Sequence, residues 1–263
     1  MTNTPTIFLI GSGNVAWHLS VALAAKGCRF VGIYNRTPQH AQALGEKLCC
    51  PVVSDLEQAP KDADLYLICT SDRAIASVSA QLPENSGLVA HVSGAAAIDD
   101  IDKKHERRGV MYPLQTFNKG RFVDLTDVPI FVEAAGQSDV DFLMALARLI
   151  SDTVILLEGE QRKALHTAAV FACNFTNFMY GLSAEIMQEN GLDFQLLLPL
   201  IRETAKRMET TNDPMTLQTG PAVRNDVRTI GKHYEFLKNR PGLQELYEIL
   251  TLSISRHTHG KKL

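Results

Sequence analysis

Apolar residues recur in two different rhythms along the chain. In the first part, short apolar runs alternate with helical patterns. Thr6–Ile10 reads as a strand, Asn14–Lys26 as a helix, Arg29–Tyr34 as a strand and Pro38–Leu48 as a helix. Pro51–Ser54 and Asp64–Cys69 follow as strands, then Arg73–Leu82 as a helix, Leu88–Val92 as a strand and Ala97–Arg107 as a helix. The runs Gly109–Tyr112, Pro129–Val132 and Val154–Leu157 bracket a further helix at Val140–Ile150. Alternation of this kind predicts βαβ units and a largely parallel sheet covered by helices.

After Glu158-Gly159-Glu160 the rhythm becomes helical throughout. Gln161–Asn190, Phe194–Thr211, Arg224–Lys238 and Leu243–Arg256 read as helices, with Gly191 and Pro241 as a C-terminal glycine and an N-terminal proline. The expected architecture is a doubly wound α/β domain over residues 1–158 followed by a second, all-α domain over 159–263. The uncharged stretch Ala164–Ala184 has about the length of a membrane span. It carries His166, Thr167, Asn174, Thr176 and Asn177, which are costly in lipid, so a buried helix of a soluble protein is expected instead.

Composition narrows the classes. With 26 Lys and Arg against 29 Asp and Glu, the net charge of −3 argues against a globally basic nucleic-acid binder. Five cysteines, an odd number without a C-x-x-C, form neither a disulfide framework nor a zinc-ligand pattern and suggest a reducing cytoplasmic setting. No metal-ligand cluster stands out. The N-terminal residues lack a basic stretch before the short run Ile7–Ile10, so no signal peptide is expected.

Chemistry enters at the end of the first strand, where Gly11-Ser12-Gly13-Asn14-Val15-Ala16 spells G-x-G-x-x-A. Gly11 allows a tight turn, Gly13 lets a pyrophosphate approach the backbone, and Ala16 permits close packing of helix on sheet. The amides that open the helix at Asn14 and Val15 face the anion, aided by the helix dipole. Between a first strand and a helix, this is the context of a Rossmann dinucleotide site rather than an ordinary glycine turn. The second strand ends in Asn35-Arg36-Thr37, with no carboxylate to select a ribose 2′-hydroxyl or repel a 2′-phosphate. Arg36 can fork onto phosphate or stack on adenine while Asn35 and Thr37 donate hydrogen bonds, so NADP(H) is expected over NAD(H). Thr70 and Ser71, beyond the fourth strand, and Ser93 with Gly94, beyond the fifth, are candidates for the same crevice. Asp72 reads as a helix N-cap, Cys69 as a small buried hydrophobe, and His91 equally as a core histidine or a functional one.

The G-S-G-N-V-A turn with N-R-T, followed by a helical second half, resembles the superfamily of pyrroline-5-carboxylate, ketopantoate and 6-phosphogluconate-type dehydrogenases. It is more similar still to a group of NADP-oxidoreductase-like proteins with a Rossmann-like domain and a helical C-terminal domain of unknown function. The resemblance covers nearly the whole chain. Its pieces are Ser93-Gly94, the segment Tyr112-Pro113-Leu114-Gln115-Thr116-Phe117, His166 with Asn174, and Thr219-Gly220-Pro221-Ala222-Val223-Arg224-Asn225-Asp226. That group carries His where this chain has Tyr112 and Gly where it has Asn225, so no role that needs an imidazole at 112 carries over.

On the helix from Gln161, a rotation of ~100° per residue puts His166, Val170, Cys173, Asn174 and Asn177 on one side. A polar stripe on an apolar helix either meets structural partners or faces a substrate. Read functionally, His166 donates a proton and Asn174 orients a carbonyl or imine. Related dehydrogenases carry a Lys and an Asn one turn apart on this helix, and Lys163 provides no such pair. Pro221 opens a helix after a turn, and Arg224 either grips a substrate carboxylate there or joins Asp226 in a surface pair.

Together these readings predict an NADPH-dependent oxidoreductase that transfers hydride to a small polar, carboxylate-bearing substrate at an interdomain cleft. The resemblance and the apolar helices imply a homodimer, with neither nucleic acid nor membrane as partner. The alternatives are an NADP(H)-binding sensor or scaffold without turnover, and a reductase of a flavin, deazaflavin or metal acceptor.

Overall fold

The computed structural model describes residues 4–260. Its sheet contains β1 (Thr6–Ile10), β2 (Arg29–Tyr34), β3 (Val52–Val53), β4 (Leu65–Ile68), β5 (Leu88–His91), β6 (Arg108–Pro113), β7 (Ile130–Ala134) and β8 (Val154–Leu156), in the order β3-β2-β1-β4-β5-β6-β7-β8. All neighbouring pairs run parallel except β6 with β7. The reversal of strand order between β1 and β4 is the place where an open α/β sheet leaves a crevice beyond its carboxyl edge.

Alternation along β1 explains the double winding. Ile7 and Leu9 face one layer with Leu19 and Leu23 of α1 (Asn14–Ala25), while Phe8 and Ile10 face the other with Tyr66 and Ile68. The second layer also receives Ile75 of α3 (Ile75–Gln81), and the first receives Leu44 of α2 (Gln42–Leu48) and Leu143 of α4 (Gln137–Ala147). The central strands β4 and β5 are buried along their whole length, as strands covered on both faces must be.

One expected helix is absent. Residues 97–107 form only a short 3-10 turn at Ile98–Asp100. The Asp100 carboxylate accepts the Ala97 N–H at 2.8 Å and Asp102 accepts the Lys104 N–H at 2.9 Å. Local capture of backbone donors by aspartate competes with the helical ladder here and wins.

The segment 114–121 crosses back over α1 and is pinned to it. Asn14 Nδ2 donates to the Phe117 carbonyl at 2.9 Å, His18 Nε2 bonds the Asn118 carbonyl at 3.0 Å, and the His18 and Phe117 rings stack. Lys119 Nζ lies 5.8 Å from the centre of the Trp17 ring.

Compactness divides the chain into Met1–Met179 and Tyr180–Leu263. This division lies about a helix and a half after the 158/159 boundary read from the sequence. The reason is chemical: α5 (Gly159–Ala169) and the π-helical turn after it (Val170–Phe175) are bonded to the sheet unit through Arg162, His166 and Cys173. The division falls within α6 (Thr176–Glu189).

The second unit contains α7 (Leu198–Arg207), α8 (Val227–Phe236) and α9 (Pro241–Thr258). α8 starts later than the expected Arg224 because Asn225 takes φ 51° and Asp226 caps the helix, its carboxylate accepting the Thr229 N–H at 3.0 Å. Glycine and asparagine both tolerate this left-handed region, so Asn225 in place of the resembled group's glycine keeps the turn. The expectation of a buried helix at 164–184 is not met within the single chain: no residue of that stretch is buried, and Phe171, Phe175 and Phe178 are exposed. Among the described residues, no helix is long and apolar enough to cross a membrane.

Candidate functional site

The first unit holds a cavity of about 870 Å³ beyond the carboxyl edge of the sheet, within the range of small-molecule sites. Its walls are the 11–15 turn, Asn35–Thr37 and Thr70–Ser71, so every expected cofactor residue except Ser93 lines it.

The turn is built by opposite demands on its two glycines. Gly11 takes φ +105°, donates its N–H to the Tyr34 carbonyl at 2.7 Å, and has the Cys69 carbonyl where a Cβ would sit. Its glycine is required by the protein itself. Gly13 takes φ −71°, open to any residue, and a Cβ there would meet nothing within 4 Å. No protein atom requires glycine at 13, so the requirement fits a ligand lying over the turn. The helix that follows has neither a side-chain cap nor an acidic residue in its first turn, which leaves its N–H groups available to an anion.

At the β2 end, Asn35 Nδ2 donates to the Thr37 carbonyl at 2.8 Å and shapes the turn that presents Arg36. Arg36 is exposed and has no ion-pair partner among the described residues. Arg73 and His40 line the same cavity, an addition that sequence reading missed. Arg73 stands two residues after Ser71, and the sequence reading gave it only as the first residue of the Arg73–Leu82 helix. Gln115 and Phe117 also line the cavity, and their place in the Tyr112–Phe117 motif was the available signal.

A second cluster surrounds Gly94. Arg162, fully buried, sends Nη1 to the carbonyls of Ser93 at 2.9 Å and Ala96 at 2.7 Å, while Nη2 and Nε grip Glu133 Oε2 at 3.0 and 3.2 Å. The Ser93 hydroxyl accepts the N–H groups of Ala95 and Ala96, so it braces its own loop rather than the cavity. His91 Nδ1 accepts the Ser93 N–H at 3.1 Å, which places its proton on Nε2, 3.1 Å from the Ala97 carbonyl. Burial lowers this imidazole to about 4, and with both nitrogens engaged His91 is a neutral structural histidine.

His166 on α5 meets Tyr112 at the end of β6: Tyr112 Oη and His166 Nδ1 are 3.0 Å apart, with the rings edge to face. A Cβ at Gly94 would come within 2.6 Å of both side chains, so glycine there is what admits the pair. Burial raises the Tyr112 phenol, against a smaller lowering by the Arg162 charge. One π turn further on, Thr116 Oγ1 and Cys173 Sγ are 3.1 Å apart. Asn174, in the same π turn, is exposed, and its side chain has no hydrogen-bond partner among the described residues. Single π turns inside α-helices are frequent at functional sites. Arg224 belongs to the second unit, where it is exposed, and Asp226 serves as the α8 cap rather than its ion-pair partner. Lys163 is paired with Glu160 at 2.8 Å. No group of three or more metal-ligating side chains occurs among the described residues.

Comparisons with known proteins agree with this geometry. Residues 128–254 match a domain of unknown function, DUF2520, and residues 1–85 match the shikimate/quinate 5-dehydrogenase family. No curated protein matches the chain. Among solved structures, a "putative NADP oxidoreductase" of Bacteroides fragilis is 40% identical, with a TM-score of 0.90 over 96% of this chain and 98% of that one. The fold also matches a pyrroline-5-carboxylate reductase of Coxiella burnetii at 15% identity and TM-score 0.58, over 99% and 100% of the two chains. An imine reductase of Myxococcus stipitatus in complex with NADP+ matches at 15% identity and TM-score 0.66, over 98% and 96%.

Proposed function

This chain belongs to the family of the Bacteroides fragilis NADP oxidoreductase, and from that premise we propose an NADPH-dependent oxidoreductase that transfers hydride to a small polar substrate bearing a carboxylate. The observation that carries the reading is Gly13, a glycine that no atom of the protein demands and that a pyrophosphate over the α1 N-terminus does.

NADPH, when bound, supplies the hydride. The chain supplies the rest. The 11–15 amides hold the pyrophosphate. Asn35, Arg36 and Thr37, joined by Arg73 and His40 of the same wall, receive the adenosine 2′-phosphate. Thr70, Ser71, Gln115 and Phe117 frame the other end, where the nicotinamide lies. Ser93 acts through the shape of its loop. His166 donates the proton that accompanies the hydride, Asn174 orients the carbonyl or imine, and Arg224 is the carboxylate grip. The exposed apolar helices support pairing with a second copy of the chain. A sensor without turnover is the rival, and the engagement of Lys163 by Glu160 favours it to the extent that a lysine would be needed.

Calorimetric titration with NADPH and NADH, on wild type and Arg36→Ala, tests the cofactor site. NADPH is expected to bind at least tenfold tighter, a difference of ~1.4 kcal/mol, and the variant to erase the gap. Absence of binding by either nucleotide overturns the reading. Binding that is unchanged in His166→Ala, with no hydride transfer by wild type to carbonyl and imine panels, favours the sensor.

A further inference from the structure

We propose that Tyr112 is the positioning residue of the site, holding His166 in the tautomer that keeps its proton on Nε2 and turning that nitrogen toward the substrate. The inference rests on the reading of His166 as proton donor and adds the residue that aims it.

The geometry is specific. Tyr112 Oη lies 3.0 Å from Nδ1 of His166, and Nε2 has no hydrogen-bond partner among the described residues. A phenol is a good donor and a weak acceptor, whereas a neutral imidazole nitrogen is a strong acceptor. The bond therefore runs from the tyrosine O–H to Nδ1, and the ring proton sits on Nε2. The pair cannot easily drift. Tyr112 is 8% exposed and packs against the Phe131 ring. Both rings fill the space a Cβ at Gly94 would need, and the Gly94 loop is tied down by Arg162 through the Ser93 and Ala96 carbonyls. The charge that acts on the Tyr112 phenol is Arg162 of α5, which Glu133 of β7 holds in an ion pair.

The proton balance follows. Hydride from the nicotinamide adds to the substrate carbon, and the π pair of the double bond moves onto oxygen or nitrogen. That atom takes the proton from Nε2 of His166. Water replaces that proton on Nε2 and is left as hydroxide, while the Tyr112 hydroxyl keeps its own proton, whose loss burial disfavours, and stays bonded to Nδ1.

The test needs no substrate. Long-range proton–nitrogen NMR spectra of the full-length, ring-labelled protein bound to NADP+ report the tautomer of each histidine, and the His166 signals are identified by their loss in His166→Gln. In the neutral wild-type ring, the expected pattern is a protonated Nε2 and an unprotonated, hydrogen-bonded Nδ1. In Tyr112→Phe the ratio of that tautomer to the other should fall about fivefold, the size of one net hydrogen bond, with NADPH affinity unchanged. A wild-type ring protonated on Nδ1 overturns the proposal by itself, as does an identical ratio in Tyr112→Phe. Because the spectra concern only the pair, their failure leaves the cofactor reading intact, and a failure of nucleotide binding in the titrations leaves the pair intact.

Discussion

The two units of the chain bury themselves to very different degrees. In the first, the strands and their covering helices form two continuous apolar layers, and residues such as Ile7, Phe8, Leu9 and Leu67 have no exposure at all. In the second, Ala222 and Leu237 are the only buried apolar residues among those described, while Leu200, Phe236, Ile249 and Leu252 stand about half exposed or more. Water-facing leucines and phenylalanines in that density do not stabilise a helical unit, and exposed apolar side chains are what an interaction face presents. The sheet unit is ordered by its own core, whereas the helical unit leaves large apolar side chains in water in a single chain, and the proposed pairing with a second copy would complete it.

The largest effect should come from breaking that completion. Sedimentation should show wild type at twice 29.0 kDa. Ile249→Glu with Leu252→Glu, three residues apart on α9, should weaken pairing by more than about a hundredfold, since each carboxylate must be desolvated where an apolar side chain was buried. A wild-type mass of one chain would remove the explanation for the open helical unit. A smaller effect, confined to the first unit, should follow Arg162→Met. It leaves Glu133 and two loop carbonyls without their donor at a fully buried position. Urea unfolding should show a loss of about 3–5 kcal/mol, with faster amide exchange in residues 93–97. A loss near zero would mean that the clamp is ornamental. The smallest effect on stability belongs to Gly13→Ala. With φ −71° and open space around the new methyl, stability should stay level or rise by less than about 1 kcal/mol, while NADPH binding is lost. If binding survives, Gly13 is not where the pyrophosphate lies.

The first unit was more legible than the second, and for the same reason. A strand with two buried faces and a glycine turn at its end write themselves into a local pattern, so β1, the 11–15 turn and the Asn35–Thr37 wall could be read from neighbours in sequence. The false helix at 97–107 shows the limit of periodicity, because Asp100 and Asp102 captured backbone donors that the pattern assigned to a helix. His166 could be singled out, but its partner could not: Tyr112 is 54 residues away and reaches it only because β6 ends opposite α5. Arg162 carried no signal in the sequence, because its burial depends on carbonyls of a loop 66 and 69 residues distant. The exposure of the 164–184 helix lies in tertiary arrangement, which an apolar run does not encode.

Trp17 is the sole tryptophan of the chain and sits one helical turn beyond Gly13, beneath Lys119. Its indole is thus a lamp fixed to the shaft of the phosphate-binding helix. Its emission overlaps the absorption band of a reduced nicotinamide, so light absorbed by the indole can pass to a bound NADPH and be lost when that cofactor is oxidised. Without any label, the color of the protein's own glow would distinguish the empty, reduced and oxidised forms of the site during a single turnover.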